Sequence, residues 1–340
     1  MSGERARRAI RGEKTDRIPF METPAHIGFL KKVSGIDPLE NLHASIIKAM
    51  EIYDIDMPIF GLPESATTND PNQYGVGATQ WRHEGSNTAD ILSYDPIIYR
   101  NLENCDEKYW ENDLNNNFLK LEKELGERYV RQSGTFTTCM HYAAEDLDFE
   151  EFLCDCVLEE DAISKMLERC EKLSTIMMSG YAKTNVELMI CHDDIANSSS
   201  MTVSAEWLRR NVIPRYKRIY KPLLDAKIPV IFMSDGNYMD IIEDIKNLNV
   251  SGFFLDTPCM DLKTVVEVCG KDMIYLTGPT PATLNMGTVN DVKDAVKELA
   301  ELARDLPRFF FHMPGGFTHN TPTENVVAYF DACLEFGKRN

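Results

Sequence analysis

Polar side chains follow an apolar run in the second half of the sequence. The run from Ile228 to Met233 is apolar, and Asp235 and Asn237 come directly after it. If the run is a buried strand, its end presents a carboxylate and a carboxamide where parallel α/β folds bind their ligands. A carboxylate in that place can hold a divalent metal, transfer protons or hydrogen-bond a polar ligand.

Other apolar runs end in similar groups. The further candidates at strand ends are Glu22, Asp193, Asp194, Asp256, Gly278 and His312, and those in predicted loops are His26, His83 and His319. Each has a structural alternative, because a carboxylate after a strand often caps a helix or pairs with a lysine. His312 follows three phenylalanines and can equally be a hydrogen-bonded core residue. For His192, at the edge of an apolar run, the structural alternative is favoured.

Strands and helices must alternate to position these residues. Five apolar runs in the second half are each followed by a helical pattern, namely VELMICHDD, IPVIFMSDGN, VSGFFLDTP, MIYLTGPTP and RFFFHMPGG. Such runs predict a parallel sheet that is covered on both faces. Three further strands are predicted in DRIPFME, DIDMPIFG and RYVRQSGTFTT. Eight units in 340 residues favour one (β/α)8 TIM barrel spanning residues 1–340, with an N-terminal extension.

The alternation of strands and helices is interrupted at residues 62–128. The segment is rich in turn-forming residues and contains ATQWRHEG, which predicts a small hairpin. Insertions of this kind usually cover or line a binding site. We therefore expect an irregular insertion after the second strand, near the barrel mouth.

Short polar residues mark several helix starts. Ser204, Asp261 and Thr288 are predicted to cap helices, the last together with Asp291. The segment from Thr321 to Glu324 predicts a capping box with a proline at the first helical position.

The charge balance limits the classes of partner. The chain has 54 acidic and 36 basic residues, a formal net charge of −18. Nucleic-acid binding requires basic surface, so nucleic acid and anionic membranes are disfavoured. The first 20 residues contain no apolar core of signal-peptide length, and no stretch approaches 18 consecutive apolar residues. These features predict a cytoplasmic protein, and its nine scattered cysteines are expected to be reduced.

Longer stretches resemble the uroporphyrinogen decarboxylase superfamily. The matching stretches, in order, are RARRAIRGEKTDRIPF, CHDDIANSSSMTVSAEWLRRNVIPRYKRIYKPL, VIFMSDGN, YLTGPTPATLNMGTVNDVKDAV and FHMPGGFTHNTPTENVVAYFDAC. The resemblance runs nearly from end to end and implies a TIM barrel. Within the superfamily, the chain looks like the cobamide-dependent methyltransferases, in particular the methyltransferase components of O-demethylases.

The chain departs from two other branches of the superfamily. Decarboxylases carry arginines after the first strand that would bind propionates and acetates, whereas the stretch FMETPAHIGFL has none. The thiol-methylating branch binds zinc through His-x-Cys after the fifth strand and a cysteine after the eighth. Met233, Asp235 and the Gly315–Gly316 loop occupy those positions here. A porphyrinogen substrate and a Cys2His zinc site are therefore disfavoured.

The remaining branch implies methyl transfer from a small donor, foremost a methoxylated aromatic compound, to the cob(I)amide of a small corrinoid carrier protein. By this resemblance the catalytic candidates are Asp235, His312, Asp194 and Glu22. Asp235 and His312 would lie nearest the donor oxygen, or would hold a metal if one is present, with zinc left open.

Further residues are expected to contact the donor or the corrin edge. These substrate-binding candidates are His83, Trp81, Met233, Asn237, Tyr238, Asp193, Asp256 and His319. For the aromatic residues and Met233, a plain core position is the alternative.

Alternative functions are a decarboxylase of a small or tetrapyrrole carboxylic acid, methylcobamide-dependent transfer to another acceptor, and a carrier-binding protein without chemistry. A monomer and a homodimer are both compatible with the sequence.

Overall fold

The computed structural model describes residues 2–63, 93–126, 129–135 and 137–339. Contacts divide the chain into two compact units. The first unit comprises the described residues of Met1–Gln80, Leu121–Val130 and Phe253–Asn340, and the second those of Trp81–Lys120 and Arg131–Gly252. The prediction of a single domain stays a prediction.

Helices and strands alternate along the described chain. The earlier elements are α1 (Ser2–Ile10), α2 (Ile27–Ser34), α3 (Leu42–Ile52), α4 (Pro96–Tyr99), α5 (Glu107–Leu125), β1 (Gln132–Thr135), α6 (Met140–Asp146), α7 (Phe149–Leu158) and α8 (Glu160–Tyr181). The later elements are β2 (Leu188–His192), α9 (Ala205–Asn211), α10 (Ile213–Asp225), β3 (Val230–Met233), a 3₁₀ turn (Met239–Ile241), α11 (Ile242–Lys246), β4 (Gly252–Phe254), α12 (Leu262–Cys269), β5 (Ile274–Thr277), α13 (Pro281–Met286), α14 (Val289–Leu302), β6 (Phe309–Phe311) and α15 (Thr323–Phe336).

Within each unit, neighbouring strands follow chain order: β1, β2 and β3 in the second unit, and β5 and β6 in the first. In the second unit, β1 pairs with β2 and β2 with β3, both parallel, and Cys191 lies opposite Phe232. In the first unit, β5 and β6 are parallel, with Leu276 opposite Phe310. Every residue of β2, β5 and β6 is buried, as expected for strands covered on both faces. The predicted α/β class is confirmed.

The first two predicted strands are reduced to short bridges. Phe20 bridges Phe311, and Met21 bridges Met57, both in parallel orientation. The backbone N–H of Met21 donates to the carbonyl of Phe311, and that of Glu22 donates to the carbonyl of Met57. Both of these predicted strand positions therefore make parallel bridge contacts within the first unit.

Three predicted helix starts are confirmed. The side chains of Ser204, Asp261 and Thr288 accept hydrogen bonds from the first turns of α9, α12 and α14. Thr288 also forms a reciprocal capping box with Asp291. Each cap satisfies a backbone N–H that the helix itself cannot pair.

The capping box predicted before α15 is wrong. The helix begins at Thr323, and its N-cap is Pro322, which has no side-chain hydrogen bond to offer. The hydroxyl of Thr321 donates instead to Oδ1 of Asn285 at 2.5 Å. The hydroxyl of Thr321 was predicted to cap α15, but it bonds instead to Asn285, which is remote in sequence.

The segment predicted as an irregular insertion is partly helical. The 19-residue helix α5 occupies much of residues 93–126. It buries Leu114, Phe118 and Leu121, which recur at helical spacing. Trp81, His83 and the predicted hairpin lie outside the described residues. None of the helices in the described part of the chain combines the length and apolarity that crossing a membrane requires.

Candidate functional site

Three consecutive polar residues, His192, Asp193 and Asp194, occur where β2 ends. Successive side chains of a strand point to opposite faces, so His192 and Asp194 share one face and Asp193 takes the other. All three residues are at most 7% exposed. Ionisable groups buried to this degree require specific partners, and both faces supply them.

Asp193 connects β2 to the start of α6. Its Oδ2 accepts hydrogen bonds from the N–H groups of Cys139 at 3.0 Å and Met140 at 2.9 Å, and from the hydroxyl of Tyr216 at 2.8 Å. Its Oδ1 accepts one from the N–H of His141. The carboxylate therefore satisfies the unpaired N–H groups of a helix terminus. This geometry supports the structural alternative for Asp193.

Asp194 pairs with His192 on the other face. Nε2 of His192 lies 2.8 Å from Oδ1 of Asp194, and the backbone N–H of Asp235 donates to the same oxygen at 3.0 Å. Burial alone would raise the pKa of Asp194, but the hydrogen bond and charge of His192 outweigh it and lower that pKa to about 2. Asp194 is thus an ionised carboxylate held in one orientation.

A second imidazole lies beside this pair. His141, in the first turn of α6, has a side chain that is 1% exposed, and its Nδ1 is 3.5 Å from Oδ2 of Asp194. The centroids of the His141 and His192 rings are 5.4 Å apart. Because Asp193 accepts hydrogen bonds from the first turn of α6, it also fixes the position of His141. The two oxygens of Asp194 therefore each face an imidazole.

Asp235, which follows β3, completes a set of three potential metal ligands. One ligand atom from each of His192, Asp194 and Asp235 lies within 4.8 Å of the others; we call these residues the β2–β3 cluster. Asp235 is the most accessible of the three. The next residue, Gly236, has φ +79°, and a Cβ there would meet the carbonyl oxygen of Asn197 at 2.3 Å. The turn that presents Asp235 therefore requires glycine.

Three predicted substrate-binding residues surround this turn. Met233, the last residue of β3, is half-buried. Oδ1 of Asn237 accepts a hydrogen bond from the N–H of Met239 at 3.1 Å, at the start of the 3₁₀ turn. Tyr238 is fully buried, and its ring packs edge-on against Phe232 at 5.4 Å. The contacts of Asn237 and Tyr238 are those of structural residues, and substrate contact by any of the three stays a prediction.

In the first unit, Glu22 and His312 lie together. Oε2 of Glu22 is 3.6 Å from Nδ1 of His312. The two carboxyl oxygens of Glu22 accept hydrogen bonds from the N–H groups of Thr23 at 3.1 Å and Met313 at 2.7 Å. Burial nevertheless raises the pKa of Glu22 to about 8, against the effect of these two donors. Glu22 is therefore mostly a neutral acid at pH 7.

His312 is a neutral imidazole whose tautomer the structure defines. Burial lowers the pKa of His312 to about 4, with the carbonyl of Met21 acting in the opposite direction. Nδ1 lies 3.0 Å from that carbonyl oxygen, which can only accept, so Nδ1 carries the proton. Nε2 then bears the lone pair. The ring also packs edge-on against Phe254, with centroids 5.6 Å apart.

The other sequence candidates take individual positions. Asp256 is half-buried after β4, and His319 is exposed. A Cβ at Gly278 would meet the carbonyl oxygen of His312 at 2.4 Å, so glycine permits the ends of β5 and β6 to approach closely. The side chain of His26 caps α2, and burial lowers its pKa.

The structure brings Asp235 together with Asp194, and His312 together with Glu22, as pairs of predicted catalytic residues. It adds His192, for which a structural position was predicted, and His141, which was not among the predicted site residues. The spacing of His192 and Asp194, two apart at a strand end, was a usable signal because it puts both on one face. His141 had no such signal, since its position depends on the hydrogen bonds of α6 to Asp193.

A family model and one solved structure agree with this architecture. The family model described as uroporphyrinogen decarboxylase (URO-D) matches residues 130–336. A methyltransferase from Methanosarcina mazei is 18% identical, with a TM-score of 0.68 over 98% of this chain and 98% of that chain. A 3-keto-D-glucoside 4-epimerase from E. coli is 10% identical, with a TM-score of 0.44 over 74% of this chain and 96% of that chain. Among curated proteins, none matches the chain. The likeness to the Methanosarcina protein is one of fold, and the predicted TIM-barrel type is confirmed.

Proposed function

Because the chain belongs to the uroporphyrinogen decarboxylase family, we propose that it moves a methyl group from a small donor to the cob(I)amide of a corrinoid carrier protein. The donor that we propose is a methoxylated aromatic compound, which the reaction O-demethylates. The likeness to the Methanosarcina methyltransferase concerns the fold, so the support for this reaction comes from the site.

The observation that carries the proposal is the concentration of carboxylates in the second unit. Asp194 is ionised, and Asp235 is its neighbour on the same side of the sheet end. In a buried site these groups repel an anionic substrate. A decarboxylase of a polycarboxylate needs cationic side chains to bind it, and residues 20–30 contain no arginine or lysine. A neutral methyl ether avoids this repulsion.

The reaction places a specific demand on the protein. The cob(I)amide supplies the electron pair of the new cobalt–carbon bond, and the pair of the broken carbon–oxygen bond stays on the oxygen. A proton then converts the phenolate to a phenol, so atoms and charge balance. Negative charge develops on the leaving oxygen as the carbon–oxygen bond breaks. Positive charge beside that oxygen therefore stabilises the transition state more than the ground state and lowers the barrier. We propose that a proton or a cation held at the β2–β3 cluster supplies that charge.

Glu22 and His312 form a separate pair within the first unit. Glu22 is a neutral acid that can donate a hydrogen bond, and Nε2 of His312 can accept one. We propose that these two residues act in proton transfer in that unit.

An anaerobic absorbance assay tests the proposed function. Purified protein is mixed with reduced cobamide, free or on a carrier, and with a panel of methoxyarenes, methanol and methylamines. We expect the Co(I) spectrum to convert to that of methyl-Co(III) with methoxyarenes. Asp235→Asn should lower the rate by about 100-fold or more, the usual scale for loss of an acid or charge-stabilising group.

Asp240→Asn is the matched control, since Asp240 is exposed and lies five residues beyond Asp235. It should keep the wild-type rate. No conversion with any donor, in the presence of cobamide that another methyltransferase can methylate, would refute methyl transfer. Release of carbon dioxide from a carboxylic acid without cobamide would establish the decarboxylase instead.

A further inference from the structure

We infer that a cavity of the first unit binds a small organic ammonium ion, that is, one apolar ring or short chain that carries a single ammonium group. The cavity lies between the segments that follow β4 and β5 and one face of α14, and its volume is about 250 Å³. Its residues belong to none of the pairs or clusters described above. The inference goes beyond methyl transfer and does not depend on it.

The walls of the cavity are mostly apolar. Met260, Leu262 and Pro279 are buried, and Leu299 and Leu302 line the α14 side. Leu302 is 47% exposed, so the cavity opens to solvent on that side. An apolar cavity of about 150 Å³ holds benzene, so about 250 Å³ suffices for one ring with a short side arm. The apolar part of the ligand is therefore small.

Two carboxyl groups give the cavity its charge. Asp261 and Glu298 are exposed and line it, whereas the described residues of the lining include no lysine, arginine or histidine. Lys297, the neighbour of Glu298 in the chain, turns instead to the ring of Phe336, with Nζ 6.0 Å from the ring centroid. The fixed charge of the lining is therefore negative, so it attracts a cation and repels an anion.

Asp261 is ionised and held in place by the start of α12. Its Oδ2 accepts hydrogen bonds from the hydroxyl of Thr264 at 2.6 Å and from the N–H of Thr264 at 2.8 Å, which caps the helix. These two hydrogen bonds hold the pKa of Asp261 below its usual range. One carboxylate of the cavity therefore keeps its charge and its position without a ligand.

A hydroxyl group of the lining also favours a ligand that donates hydrogen bonds. Thr277 donates to the carbonyl of Leu255 at 2.9 Å, so the 2.7 Å contact between the hydroxyls of Thr257 and Thr277 uses the proton of Thr257. Thr257 lines the cavity and keeps only lone pairs for a ligand. An ammonium group carries donors and no acceptor, so it suits this oxygen as well as the carboxylates.

Titration of the full-length chain with benzylammonium tests the inference. Benzyl alcohol and benzoate have the same ring and serve as the neutral and anionic counterparts, and calorimetry or ligand-observed NMR measures each affinity at neutral pH. We expect saturable binding of benzylammonium in the millimolar range or tighter. Benzyl alcohol should bind about 5-fold or more weakly, the scale of partly exposed charge pairs, and benzoate should show no saturation.

Variants then locate the ligand. Asp261→Asn and Glu298→Gln should each reduce the preference for benzylammonium over benzyl alcohol by about 2- to 5-fold, because each removes one charge. Asparagine still caps α12, so the first variant keeps the helix start. Glu301→Gln is the matched control, since Glu301 is exposed on α14 but outside the lining. Ala295→Leu enlarges a side chain of the lining and should abolish saturable binding of both ligands, with the melting temperature as the test of folding.

Several outcomes would overturn the inference. Without saturable binding of benzylammonium at millimolar concentration, the cavity is not a site of this class. Equal affinity for benzylammonium and benzyl alcohol would exclude a role for the ammonium group. Wild-type binding in Ala295→Leu would place the ligand elsewhere on the chain. Dimerisation of the wild type that Ala295→Leu suppresses, measured by sedimentation, would assign the cavity to a second copy of the chain. Because no turnover is measured, methyl transfer can fail while the ammonium ion binds, and the reverse.

Discussion

Two buried carboxyl groups of this protein have opposite pKa shifts. Asp194 lies 2.8 Å from an imidazole that can carry charge, and its pKa falls to about 2 despite burial. Glu22 has two backbone N–H donors, and burial raises its pKa to about 8. His312, 3.6 Å away, is itself neutral near pH 7 and gives Glu22 no compensating charge. The pKa shifts of Asp194 and Glu22 differ in direction because Asp194 has a charged partner and Glu22 has none, although both groups are buried.

The raised pKa of Glu22 predicts a specific pH dependence of stability. Above the unfolded pKa of about 4.3, the native state keeps a proton that the unfolded state has lost, so stability falls as pH rises toward 8. His312 acts oppositely between about 4 and about 6.5, because there the unfolded state binds the extra proton. Of these two residues, only Glu22 makes the stability depend on pH between pH 6.5 and 8. Glu22→Gln should therefore remove a decline of roughly 1–2 kcal/mol over that interval, measured by urea unfolding.

The comparison uses pH slopes because Glu22→Gln also changes the hydrogen bonds to Thr23 and Met313. Glu324→Gln is the control, since the Glu324 side chain is 67% exposed. It should leave the wild-type slope unchanged. Parallel curves for wild type and Glu22→Gln would show that Glu22 is already ionised at pH 6.5.

Among the elements, the connection of β2 to α6 depends on one side chain. Asp193 accepts three backbone N–H groups and the hydroxyl of Tyr216. In Asp193→Asn, an NH₂ group replaces one of the carboxylate oxygens. This NH₂ group cannot accept a hydrogen bond, so the donors that faced that oxygen are left buried without an acceptor. We expect a loss of roughly 2–4 kcal/mol in unfolding free energy, measured by urea titration.

A second helix cap offers a direct contrast. Asp148 caps α7 at an exposed position and accepts one N–H, that of Glu151, at 2.9 Å. Because asparagine caps helices about as well as aspartate, Asp148→Asn should change stability by less than about 0.5 kcal/mol. Similar losses in both variants would mean that Asp193 acts only as an ordinary cap, without the added dependence on Tyr216.

The same elements show what sequence patterns can predict. Apolar runs and cap residues are local signals, so the parallel strands and the starts of α9, α12 and α14 were predictable. The cap at Thr321 was not, because Asn285 accepts its hydroxyl from 36 residues away. His141 was missed for a similar reason, since the carboxylate that positions its helix is 52 residues distant. Contacts across such separations depend on the folded chain rather than on a local pattern.

For the whole molecule, the net charge of −18 gives the last prediction. If the methyl acceptor is carried by a protein with a basic docking face, long-range attraction speeds the encounter and salt screens it. With carrier-bound cobamide at limiting concentration, the methylation rate should fall several-fold between about 0.01 and about 0.1 M salt, as the Debye length shortens from about 30 to about 10 Å. Free cobamide is the matched acceptor, because it offers no such face and should show little change. An equal fall for both acceptors would point to a salt effect on the site itself, and a rate that rises with salt would indicate a carrier of like charge.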